Sequence, residues 1–176
     1  MIRILGAKGI IQDVGGLLKE TLAFSKKHRV TIQVMNADVV FGKTHLLSAA
    51  EHAIRSMKRK TNTTKTLAME VLLYASGERQ IKLSIEKLGV KRGKGNIAVV
   101  CIDGIKEFSE ARGNVTHQSI ADLLKTVDLT RDDMVLEGTK NTLKKFGLSD
   151  AEINTVTEAK YGQLILEKVA MVDVIK

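Results

Sequence analysis

Apolar positions along this chain fall into β-branched runs and three-to-four-spaced runs, separated by short polar stretches. The opening IRILGAKGII predicts a short strand followed by a turn at the glycines. Next, DVGGLLKETLAFSKKH predicts a helix with Leu17, Leu18, Leu22 and Phe24 facing inward. VTIQVMNADVV is β-branched from Val30 to Met35 and predicts a second strand. Asn36 and Asp38 stand at its end, where such side chains bond nearby backbone and favour turns. From Lys43 the spacing becomes helical through Leu46, Leu47, Ala50, Ala53, Ile54 and Met57, and that helix ends near KTNTTK, a polar loop.

Two further helices follow, one with a stripe at Leu67, Val71 and Tyr74, the other at Ile81, Ile85 and Leu88. The stretch ASGERQI separates them. Gly77 suits the left-handed position beyond a helix end, Ser76 is placed to cap the next helix, and Glu78 favours its positive end. KRGKGN predicts a turn into NIAVVCID, a buried strand. ADLLKTV and KNTLKKFGL are helix candidates, with LTRDD and LSDAE as N-terminal signals. YGQLILEKVAMVDVIK is too apolar for a surface helix, so it is central to the core or applied to a partner. These elements predict an α/β (α+β) fold, a mixed β-sheet packed with several helices in a single domain, 1–176.

Composition narrows the function. Aromatics are 3% of the chain and Trp is absent, which argues against single-strand binding on an aromatic platform. The lone Cys101, in the run IAVVCID, reads as a small buried hydrophobe and excludes a disulfide framework, compatible with a reducing cytoplasm. No run approaches the roughly 20 apolar residues of a membrane span, and MIRILGAKG lacks a signal peptide's apolar core. The net charge of +8 is uneven: residues 1–100 hold 18 Lys/Arg against 7 Asp/Glu, and residues 101–176 hold 10 against 13. The clusters KKHR (26–29), RSMKRK (55–60) and KRGK (91–94) recur at element ends, where they can converge into a patch for RNA or an acidic partner.

Catalytic signatures are lacking. The glycines of GAKGIIQDVGG have no Gly-Lys-Ser/Thr ending, and Gly93 and Gly95 precede a strand, the reverse of a dinucleotide site. His28, His45, His52 and His117 do not have metal-ligand spacing. No nucleophile elbow occurs, and carboxylates are scarce in the basic half. The expectation is a binding protein with no cofactor, metal or catalytic residue; the alternative is a small enzyme acting on a phosphorylated metabolite at a basic helix start.

Two stretches carry a resemblance. VMNADVVFGKTHLLSAAEHA (34–53) and MEVLLYASGERQIKLSIEKLGV (69–90), followed by IAVVCID and ILEKVAMVDV, resemble the signature segments of the kinase-binding subunit of the KEOPS complex. The match covers 30–103 and 164–174; the basic stretch Arg55–Lys65 is longer than expected of a compact member, and 104–160 matches only in general character.

The resemblance implies a non-enzymatic subunit that binds the complex's small atypical kinase, associates indirectly with the catalytic subunit, and helps recruit tRNA by its single-stranded 3′ CCA end. The complex makes threonylcarbamoyl-adenosine next to the anticodon. On that basis the RNA-contact set is Asn36, Asp38, Lys43, His45, Ser76, Gly77, Arg79, Gln80 and Ile81. Arg79 and Gln80 on a helix's first turn, with free amides around residues 76–78, would receive an anion, and Lys43, His45, Asn36 and Asp38 would read base edges. The bland alternatives stay open: Asn36 and Asp38 as caps only, Arg79 paired with Glu78 or Glu70. Leu164, Leu166, Val169 and Val172 are the kinase-facing candidates, with burial in the chain's own core as the alternative.

Overall fold

The first strand defeats its own turn signals. In this computed structural model, which describes residues 1–105 and 115–175, β1 runs unbroken through both early glycines, Ile2–Ile11. A side chain at Gly6 would sit 2.4 Å from the Asp132 carbonyl, and one at Gly9 2.7 Å from that of Asp128. These glycines therefore mark close backbone approach rather than a turn. The other strands are β2 (Thr31–Asn36), β3 (Gly93–Ile102) and β4 (Leu129–Arg131). Their order is β2-β3-β1-β4, and all three pairings are antiparallel.

The helices are α1 (Val14–His28), α2 (Gly42–Arg59), α3 (Leu67–Ser76), α4 (Ile81–Leu88), α5 (His117–Thr126), α6 (Lys140–Phe146), α7 (Asp150–Ile153) and α8 (Tyr161–Ile175). They coat both faces of the sheet. In β3, Ile97, Val99 and Cys101 point into a core with α1 and α5, while Ala98, Val100 and Ile102 point into a second core with α2, α3, α4, α6, α7 and α8. Burial of both faces explains why NIAVVCID reads as a continuous apolar run rather than an alternating one. Burial pushes the Cys101 thiol up to about 11, so it packs and does not react.

Several expectations change. The buried stripe of α1 is Leu17, Thr21 and Phe24; Leu18 and Leu22 are 47% and 55% exposed. Leu47 and Ile85 also face outward. LTRDD starts no helix: its first residues form β4, and Asp132 caps a single 3-10 turn, Asp133–Leu136. LSDAE does cap α7, with Ser149 and Glu152 bonding reciprocally.

The polar loop after α2 is tightly held. Lys60 takes the left-handed C-cap position, and the chain then folds onto the fully buried Glu70 of α3. That carboxylate accepts from Ser56 Oγ (3.0 Å), Thr63 N–H (3.2 Å), Thr64 N–H (2.9 Å) and Thr64 Oγ (2.8 Å). Glu70 is therefore no partner for Arg79. Among the described residues no helix is long and apolar enough to cross a membrane.

Candidate nucleic-acid interface

The exit from α3 is built around a glycine. Gly77, at φ 68°, closes the helix by donating its N–H to the Tyr74 carbonyl at 3.1 Å. A Cβ there would be strained, and would also meet Lys168 Cβ at 3.2 Å and Phe146 Cζ at 3.3 Å. Ser76 is fully buried; its Oγ accepts from the Glu78 N–H at 3.2 Å and lies 2.8 Å from Ser84 Oγ. It braces the junction from beneath and does not cap α4.

The cap position belongs to Gln80, whose backbone is extended and whose side chain makes no capping bond. Arg79 and Gln80 thus precede the helix instead of lying on its first turn, a correction to the sequence expectation. Both are exposed, and among the described residues Arg79 forms no ion pair. The first intrahelical bond runs from the Ser84 N–H to the Gln80 carbonyl, 3.1 Å, so the amides of residues 81–83 have no partner within the helix. A helix start of this kind receives an anion at its open N–H groups. Ile81 is half-buried and anchors the turn to the core behind it.

Glu78 is taken by Lys87. The Lys87 ammonium donates to the Ser76 carbonyl at 2.7 Å and to Glu78 Oε1 at 3.2 Å, and stands 3.7 Å over the Phe146 ring. Burial pulls its pKa down, against the pull of Glu78. Phe146 also meets the His45 ring edge-on, centroids 5.8 Å apart. Sequence reasoning marked KNTLKKFGL only as a helix; Phe146 followed by the glycine cap Gly147 is the signal that was there to find.

His45 is a fastener, not a base reader. It is 1% exposed, accepts the Phe41 N–H on Nδ1 at 3.1 Å, and bonds the Ala75 carbonyl through Nε2 at 2.8 Å. An acceptor at Nδ1 leaves Nε2 as the donor, which fixes the neutral tautomer. Desolvation lowers its pKa to about 4. The bond ties the start of α2 to the end of α3, and explains physically why the two distant sequence segments belong together.

Asn36 caps the turn Ala37–Val39 by accepting the Asp38 N–H at 3.0 Å. Asp38 accepts from Asn96 Nδ2 at 2.9 Å and lies 3.8 Å from the exposed Lys145 ammonium. This turn packs beside α4, so it shares the junction's neighbourhood. Lys43 is directed elsewhere, bonding Asp133 Oδ2 at 2.9 Å. Burial pushes the Asp133 carboxyl up, but Arg131, the Gly6 N–H and Lys43 together hold it well below the usual range. The structure therefore joins His45, Ser76 and Gly77 as scaffold, sets Asn36 and Asp38 beside α4, leaves Arg79 and Gln80 outward, and gives Lys43 to a different cluster.

The kinase-facing candidates divide. On α8, Val169 and Val172 are fully buried in the core, whereas Leu164 and Leu166 are half-buried. Burial removes both valines from any surface. Met171, Val174 and Ile175 are the exposed apolar residues of that helix, at 42%, 73% and 40%. Among the described residues no three His, Cys, Asp or Glu side chains gather as a metal site.

Scaffold and site together define a binding domain: two helix-coated cores that hold out a junction with open amides and a guanidinium unpaired among the described residues. The family model described as kinase binding protein CGI-121 matches residues 11–173, so the chain belongs to that family. It is 33% identical over 116 residues to the regulatory protein Cgi121 of Methanocaldococcus jannaschii, covering 64% of this chain and 76% of that protein. It is 27% identical over 94 residues to the EKC/KEOPS complex subunit CGI121 of Yarrowia lipolytica, covering 53% of this chain and 54% of that one.

Proposed function

We propose that this chain, acting as one domain over 1–176, is a non-catalytic cytoplasmic subunit of a KEOPS-type complex that binds the complex's small kinase and recruits tRNA by its 3′ CCA end. In this reading another subunit, reached indirectly, carries out threonylcarbamoyl-adenosine formation next to the anticodon. Family membership and the relatives' names support the kinase and complex. The observation that supports the RNA contact is the exposed Arg79, without an ion pair among the described residues, beside the open amides at residues 81–83. A backbone phosphodiester of the tail sits at those amides and Arg79, Gln80 reads a base edge, and Asn36 and Asp38 serve from the neighbouring turn. His45, Ser76 and Gly77 hold the junction in shape. The kinase meets the outer apolar side of α8, the exposed Met171, Val174 and Ile175 with the half-buried Leu166, in place of the two buried valines.

The test compares binding of intact tRNA with tRNA lacking its CCA, to the natural chain and Arg79→Glu, at two salt concentrations. Strong weakening by loss of either the tail or Arg79 is expected, with binding falling steeply as salt rises. Equal weak binding by every combination sinks the site, and turnover of a phosphorylated metabolite without partners would favour a small enzyme instead. Val174→Glu should separately weaken a complex with the small kinase; an unchanged affinity removes α8 from that interface.

A further inference from the structure

The other end of α3 borders a surface that none of these roles uses. A groove of about 300 Å³ runs between α1 and the start of α3. Four consecutive β2 residues, 31–34, line it. Successive strand residues point to opposite faces, so a groove that meets all four follows the strand's edge. β2 is an edge strand of the sheet and carries neither Lys nor Pro, the usual blocks to further pairing. The Gln33 amide donates to the Val34 carbonyl at 2.7 Å. Leu18 and Leu22, the two leucines of α1 that face outward, form one apolar wall, and the half-buried Met69 belongs to the other.

The rim is cationic. Ser25 lines the groove and the exposed Lys26 and Arg29 follow it; Thr66 lines the opposite wall and the exposed Lys65 precedes it. None of the three cations forms an ion pair among the described residues, and no acidic side chain lines the groove.

We infer that this edge accepts an extended segment of a partner protein, added antiparallel or parallel as a further strand beside β2, with apolar side chains against Leu18 and Leu22 and acidic ones against Lys26, Arg29 and Lys65. Main-chain pairing supplies affinity and the alternating side chains supply specificity. Charge decides the occupant: a second copy would bring together two chains of net charge +8, whereas an acidic segment is drawn in.

The test is selection of displayed random peptides on the intact chain, followed by hydrogen exchange at residues 31–34. Enriched peptides should alternate apolar and acidic residues, protect those amides, and bind about tenfold more weakly to Lys26→Glu/Arg29→Glu and to Leu22→Lys. Both variants change exposed side chains, so folding is retained and a loss reads as lost binding. No enrichment, or peptides indifferent to the charge reversal, overturns the inference. Concentration-dependent protection by the chain itself would make the occupant a second copy, and protection by tRNA would make it RNA; either result overturns the inference too.

Discussion

The two ends of α3 are both polar, both rich in groups that bond backbone, and opposite in character. At its entry, 61–66, the loop amides and hydroxyls are spent inward on the buried Glu70 carboxylate. At its exit, 77–80, the inward groups are few, and the next helix begins with open amides beside an Arg79 that has no ion-pair partner among the described residues. A stretch such as TNTTKT and one such as SGERQ look alike as sequence. What separates a structural loop from a binding loop is where the hydrogen bonds go, and that is decided by a residue elsewhere in the chain.

The comparison is broken most severely at Glu70. Glu70→Ala leaves several buried donors without a partner and should cost about 3–5 kcal/mol in urea unfolding. Any folded fraction should keep its tRNA affinity. A loss below about 1 kcal/mol would mean that the loop is not held by this carboxylate.

Acid reaches the exit instead. His45 has a folded pKa of about 4, below its ordinary value of 6.5, so its neutral form is favoured by folding. Its contribution is present in full above 6.5 and is lost as pH falls towards 4, because the unfolded chain binds the proton first. The lost stability should be about 3 kcal/mol across that window, at about 1.4 kcal/mol per unit. Denaturation midpoints taken through that pH range for the natural chain and His45→Gln check it: the variant's profile should be flatter, and parallel profiles would remove His45 as the cause.

Gly77→Ala should cost about 2 kcal/mol, combining left-handed strain with crowding against Phe146 and Lys168. An unchanged unfolding midpoint would show that the junction tolerates a Cβ. The smallest effect on folding, and the sharpest for the comparison, belongs to Arg79→Glu. Stability should stay within about 0.5 kcal/mol while tRNA binding falls at least tenfold. Equal loss of both would make Arg79 a structural residue like Glu70.

Much of the scaffold was legible in the residues. Periodicity placed the major helices, and the continuous apolar run NIAVVCID placed the buried part of β3. It failed where the decisive partner is distant in sequence. The glycines of β1 signal turns until Asp132 and Asp128 are seen pressing on them, and Thr21, not Leu18 or Leu22, completes the buried stripe of α1 because it shares the i, i+4, i+7 face of Leu17 and Phe24. Gly77 was legible, since left-handed backbone selects its residue locally. His45 and Ser76 were found as members of the right segments, but their burial was not, because it comes from Ala75, Phe146 and Ser84 closing over them.

The imidazole of His45 also makes the protein observable. Each of its nitrogens reports one bond: Nδ1 the Phe41 amide within the approach to α2, Nε2 the Ala75 carbonyl at the end of α3. Nitrogen-15 resonances of a single ring therefore report, in solution and without added dye, whether the two signature segments are docked together. The same pair of signals, followed as tRNA or the kinase is titrated in, distinguishes a partner that lands on a preformed junction from one that prises it open.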